Sequence, residues 1–145
     1  MDKYMSANAV FSKFSRNYME SKKDLPIRPS EMAVINIITQ RDGLYTPLMI
    51  AELLGVSKPM ITAHIRALSK KGYIRKAGSC EDRRSFHVLP TEKAESLAFE
   101  FKEKQEKYLK EIESKLPHGE FDELLRLVEK VLPLMEETKE KENAK

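Results

Sequence analysis

The sequence predicts a mostly α fold with one small β-hairpin, and three observations predict it. Apolar residues recur at three- and four-residue spacing over most of the chain, the period of amphipathic helices. Around residues 73–89 that period gives way to two short runs holding Tyr73, Ile74, Phe86 and Val88. Such residues suit strands, and the polar stretch 77–85 between them is too long for a two-residue turn. Just upstream, two helical segments meet at Leu54-Gly55-Val56-Ser57, the length and glycine content of a helix-turn-helix turn.

Each element has a local reason. Val10, Phe14 and Tyr18 recur four apart with Phe11 beside them, and the helix they define should stop before Pro26 and Pro29. Ser30 is the expected N-cap of a second helix over 31–40, with Met32, Ile35 and Ile38 on one side and Gly43 closing it. Thr46 caps a short third helix with Pro47 at its first position, and Gly55 sits just past its end. Ser57 caps the next helix, 58–71, whose Ile61, Ile65 and Leu68 point to a core, and Gly72 ends it. After the strands, Thr91 caps a helix of about 25 residues, twice the ordinary length, striped by Leu97, Phe101, Tyr108, Ile112 and Leu116. Pro117, His118 and Gly119 break it. A last helix from Glu120 aligns Phe121, Leu124, Leu125, Val128, Val131, Leu132 and Met135, and the charged tail 139–145 is expected to fray.

Composition narrows the class. A chain of 145 residues, 41% hydrophobic and 34% charged, is one domain's worth of globular sequence rather than a disordered or fibrous one. No run reaches the roughly 20 apolar residues of a membrane span. No secretory signal opens the chain. The single cysteine, Cys80, rules out an internal disulfide and fits a reducing compartment, so a cytoplasmic protein is expected. The net charge of +3 hides an uneven distribution. Residues 57–90 hold eight Lys/Arg against Glu81 and Asp82, whereas 91–145 hold eleven against fifteen acids. A basic middle beside acidic helices is the charge pattern expected when one face meets a polyanion.

The helix-turn-helix with the basic hairpin, a winged helix-turn-helix, carries the functional expectation. With Ile61, Ile65 and Leu68 committed inward, the outer side of the second helix should show Ser57, Lys58, Pro59, Met60, Thr62, Ala63, His64 and Arg66. Many are short, which lets a helix lie close to base edges in a major groove. Thr62 can bond a base or phosphate, Pro59 or Ala63 can touch a thymine methyl, and Arg66 can reach guanine. Arg83 and Arg84 at the hairpin tip suit phosphates or a narrow minor groove, and Asp82 suits holding an arginine in a bidentate pair. The expected partner is double-stranded DNA.

From about residue 7 to 137 the sequence resembles the MarR family (multiple antibiotic resistance regulators) of transcriptional regulators. The resemblance is carried by the segments 56–62 and 68–74, by Asp82 and Arg84 as an Asp-x-Arg pair, and by 88–91. The chain departs from the family pattern at Pro90, inserted between Leu89 and Thr91, and at Ala94, where glycine is usual. The resemblance implies a homodimer on a pseudo-palindromic operator. Residues 1–29 and 91–140 would supply dimerisation helices, 30–90 the winged helix-turn-helix, and Arg84 a DNA contact in the wing. The long apolar stripes of the last two helices ask for a second copy on their own account, since alone they would leave a large exposed patch. The expected function is a regulator, a repressor in sign, whose DNA affinity a small-molecule effector modulates. Candidate walls of an effector pocket are Phe11, Phe14, Tyr18, Met32, Ile35 and Tyr108.

Two other readings stand beside this one. A winged helix can serve as a protein-interaction module that never touches DNA. Cys80 beside Arg83 and Arg84 could make the chain a thiol-redox sensor. Enzymatic chemistry is not expected: the sequence has no glycine-rich phosphate loop and no nucleophile elbow. His64, His87 and His118 share no metal-ligand spacing, so neither metal nor cofactor is expected.

Overall fold

A computed structural model describes residues 2–78 and 86–143. In chain order these form α1 (Lys3–Glu20), α2 (Pro29–Gln40), α3 (Pro47–Leu54), α4 (Lys58–Lys70), β1 (Ile74–Gly78), β2 (Phe86–Pro90), α5 (Glu92–Ser114) and α6 (Glu120–Asn143). The protein is mostly α with one antiparallel hairpin, as its sequence predicts. It divides into two units, Met1–Phe101 and Lys102–Lys145.

In the first unit, α2 is the centre of the core. The sequence places Met32, Ile35 and Ile38 on one buried side, but Val34 and Ile37 are buried as well, so the helix is covered nearly all round. Ile27 before α2, Ile50 and Ala51 from α3, Ile61, Ile65 and Leu68 from α4, Tyr73 and Ile74 at the start of the hairpin, Val88 from β2, and Ala94, Leu97 and Ala98 from α5 complete the cluster. Each large aliphatic side chain taken fully out of water contributes roughly 1.5–3 kcal/mol. The large aliphatic residues of this cluster therefore fix how the helices pack far more than surface charge does.

The start of α2 corrects the expected cap. Arg28, not Ser30, occupies the N-cap, and Pro29 takes the first helical position, where its missing N–H costs nothing. Glu31 reaches back to accept the Arg28 backbone N–H at 2.9 Å, the acidic half of a capping box.

The hairpin pairs Ile74 with Pro90 and Gly78 with Phe86. It extends to Gly78 and Pro90, past the expected ends. Tyr45 adds a bridge on the other side of β2, its carbonyl accepting the Val88 N–H at 2.8 Å. Pro90 sits at the end of the ladder, where its lack of a donor is tolerated. Neither departure from the family pattern disturbs the entry to α5. Thr91 Oγ1 accepts the Ala94 N–H at 3.4 Å, and Glu95 N–H bonds the Thr91 carbonyl at 3.0 Å. Ala94 is wholly buried, its methyl spent on the core.

In the second unit, α6 runs 24 residues without one buried side chain. Leu124, Leu125, Val128, Val131, Leu132 and Met135 are all exposed. Arg126 forms a two-pronged pair with Glu123, which holds the Glu123 carboxyl below its ordinary value. Helix continues through residues 139–143, part of the tail expected to fray, and Pro133 lies inside it.

Candidate nucleic-acid interface

The turn between α3 and α4 is built residue by residue. Thr46 Oγ1 accepts the Met49 N–H at 3.3 Å and Pro47 opens α3. Gly55 ends it at φ +68°, a left-handed conformation that any side chain would strain. Ser57 Oγ then accepts the Met60 N–H at 3.2 Å and starts α4 two residues later. With so short a break the two axes bend by 116°, within the range of helix-turn-helix units.

That bend sorts the side chains of α4. Ile61, Ile65 and Leu68 are buried, holding one face on the core. Lys58, Pro59, Met60, Thr62, Ala63 and Arg66 are exposed, as is the cap Ser57. They present two cations, two hydroxyls and the apolar Pro59, Met60 and Ala63 on one helix and its cap. His64 departs from the expected outward face. It is half-buried, and its Nε2 is shielded with no hydrogen-bond partner among the described residues. Three residues beyond Ile61 and four before Leu68, it falls on the edge of the core stripe rather than opposite it.

Beside α4 lies a cleft of about 640 Å³, lined by Pro47, Thr62, Ile65, Arg66, Ser69, Lys70, Lys76 and Phe86. Thr62, Arg66, Ser69 and Lys70 come from successive turns of α4, while Lys76 and Phe86 come from the hairpin. Lys76 Nζ stands 4.8 Å from the centre of the Phe86 ring, which fixes a long cation against the cleft wall. Ser69, Lys70 and Lys76 were not singled out from sequence. The spacing of four from Thr62 to Arg66 to Lys70 was the signal that could have found Lys70, whereas Lys76 is brought there only by the strand.

Other expected positions are placed as follows. Asp82, Arg83, Arg84 and Cys80 lie outside the described residues. Phe11 and Phe14 of α1 are exposed, and Phe14 stacks 6.4 Å from the half-buried ring of Tyr18. Met32 and Ile35 are fully buried, spent in the core, and Tyr108 belongs to the second unit. Among the described residues no group of three or more His, Cys, Asp or Glu could hold a metal ion. No single helix there is long and apolar enough to cross a membrane.

Helix-turn-helix, hairpin and outward cations together define a winged helix-turn-helix protein. The MarR family model matches residues 27–86, from the residue before α2's cap to the start of β2. Solved structures share the fold at low identity. The chain is similar to FabT of Streptococcus pneumoniae, crystallised in complex with DNA, with a TM-score of 0.81 at 20% identity over 94% of this chain and 99% of that one. It is similar to a MarR protein from Peptoclostridium difficile with a TM-score of 0.77 at 20% identity over 97% and 93%. It is also similar to a MarR/EmrR family transcriptional regulator from Acinetobacter sp. ADP1 with a TM-score of 0.74 at 19% identity over 94% and 99%. The match to the MarR family model spans fewer than half of the residues, and the likeness to these structures shows the fold.

Proposed function

We propose that this protein is a sequence-specific DNA-binding repressor that acts in the cytoplasm as a homodimer on a pseudo-palindromic site. The observation that carries the reading is the division of α4: Ile61, Ile65 and Leu68 hold one face on the core while Lys58, Pro59, Thr62, Ala63 and Arg66 stand exposed. A helix anchored in this way can enter a major groove without giving up its own packing. Thr62 and Arg66 read base edges, Pro59 and Ala63 touch thymine methyls, and Ser57 and Lys58 approach phosphate at the helix N-terminus. The cleft with Arg66, Lys70 and Lys76 suits the sugar-phosphate strand beside the groove, and Arg83 and Arg84 add DNA contacts, with Asp82 orienting one of them. That FabT of Streptococcus pneumoniae, which shares this fold, was crystallised with DNA supports the same use of this surface.

The homodimer follows from the apolar residues that α1 and α6 leave exposed, which two-fold pairing through 1–29 and 91–140 would cover. A small effector that binds one spacing of the recognition helices better than the other lowers DNA affinity by that difference. Aromatic residues of α1, Phe11, Phe14 and Tyr18, are the first candidates for its contacts.

Binding of a duplex selected from random sequence, measured against salt, tests the reading. A dimer touching six to ten phosphates loses roughly 10³–10⁵ in affinity between 50 and 200 mM salt. A flat response, or no selected duplex, would leave the protein-interaction module as the better account. Replacing Cys80 with serine should leave DNA binding unchanged under both reducing and oxidising conditions; oxidant-dependent release by the wild type alone would favour the thiol sensor.

A further inference from the structure

Lys71, the residue that closes the recognition helix, is gripped from two directions. Its ammonium lies 3.6 Å from Glu31 Oε1, and Glu31 is 97% buried at the start of α2 while also accepting the Arg28 N–H. Its carbonyl accepts a hydrogen bond of 2.6 Å from Lys93 Nζ in the first turn of α5. Lys93 is itself set in place: its stem passes Gly72, where an added Cβ would lie 4.0 Å from Lys93 Cδ, and its Nζ stands 4.5 Å from the centre of the Tyr73 ring. The neighbouring Thr91 reinforces the joint. Its Oγ1 donates to the Gly72 carbonyl at 2.7 Å, and its N–H bonds the Tyr73 carbonyl at 3.1 Å.

A helix ends with carbonyls that have no partner in the helix and with the negative end of its dipole. Here the carbonyl of the α4 C-cap, Lys71, and that of Gly72 in the turn after it are answered by the side chains of Lys93 and Thr91 at the start of α5, 22 and 19 residues further along the chain. Two contacts from distant parts of the chain thus converge on one helix end, one to its side chain and one to its carbonyl. The contacts tie the C-terminal end of α4 to α2 on one side and to α5 on the other.

We infer that Lys93 and Glu31 are positioning residues for DNA recognition: through Lys71 they set the angle at which α4 is presented, so that a shift of α5 is passed to the base-reading face. The inference rests on the DNA-binding role proposed for α4. Neither residue needs to touch DNA. Lys93→Met keeps the stem and removes the donor, and Glu31→Gln keeps the acceptor for Arg28 and removes the charge.

The test measures Lys93→Met, Glu31→Gln and Lys93→Arg on a duplex selected by the wild type and on a shuffled duplex of the same length, with amide hydrogen exchange at 71–73. Lys93→Met and Glu31→Gln each weaken binding to the selected duplex by about tenfold, the size of coupling carried by non-contacting residues. Binding to the shuffled duplex and the salt slope stay as in the wild type, exchange at 71–73 quickens, and Lys93→Arg restores both. Equal loss on both duplexes with a shallower salt slope would make Lys93 a phosphate contact and overturn the inference, as would unchanged binding to the selected duplex. If Lys93→Met does not fold, Lys93→Leu, which also lacks a donor, takes its place with the same outcomes. Should the wild type bind neither duplex, the DNA-binding reading itself fails, and unchanged exchange at 71–73 would separately reject the grip on α4.

Discussion

Arg66 shows how far a single residue can be read. Its place follows from arithmetic on the helix: one position after Ile65 and four after Thr62, it must face away from the core, and it does. An arginine bidentate to guanine is worth roughly 1–3 kcal/mol of discrimination. Arg66→Ala should therefore relax preference at one base position of each half-site while thermal stability holds, as read by competition among single-base variants of the selected duplex. His64 shows where the same arithmetic is too coarse. A position near 60° from the centre of a buried stripe can turn either way, and neighbouring side chains decide it. Ser30 departs from its expected role for a related reason: a serine before an apolar run is a good cap, but Pro29 and Glu31 together make Arg28 a better-placed one, through backbone and carboxylate rather than a hydroxyl.

At the scale of elements, the helices were legible because each carries its own punctuation: Thr46 and Pro47, Gly55, Ser57, Gly72, Thr91, and the break at 117–119. Strand ends were less so, since Gly78 and Pro90 pair across the hairpin against their own propensities and only the ladder reveals it. The burial of α2 on nearly every side was also hidden, because periodicity reports one face and a central helix has several. The turn between α3 and α4 yields the sharpest prediction here. An added Cβ at Gly55 would meet nothing within 4 Å, so the cost of Gly55→Ala is the left-handed backbone alone. That is about 1–2 kcal/mol, and denaturant unfolding should show it without a change in slope. A neutral substitution would mean that the turn relaxes to another conformation. The lining of the cleft by Lys76 and Phe86 was illegible for a different reason: it depends on how the hairpin lies against α4, a tertiary fact with no local signature.

For the whole molecule, the exposed side chains of α6 matter most. A 24-residue helix with Leu125, Val128 and Leu132 exposed calls for cover, and the second copy in the proposed homodimer would supply the same surface in return. Leu125→Glu should convert the dimer to a monomer in sedimentation, since a buried carboxylate at a two-fold contact meets its own image. DNA affinity should fall with it, because each half-site is then bound alone. The stripe was plain in the sequence, whereas the occupant of the apolar face was supplied by family resemblance.

The central claim is that α4 reads DNA in pairs. A hydroxyl-radical footprint of the protein on its selected duplex tests it most directly. Two blocks of protection related by two-fold symmetry, with major-groove centres roughly 34–36 Å apart, are the expected result. A single block, protection without symmetry, or a duplex left wholly cleavable at saturating protein would contradict it.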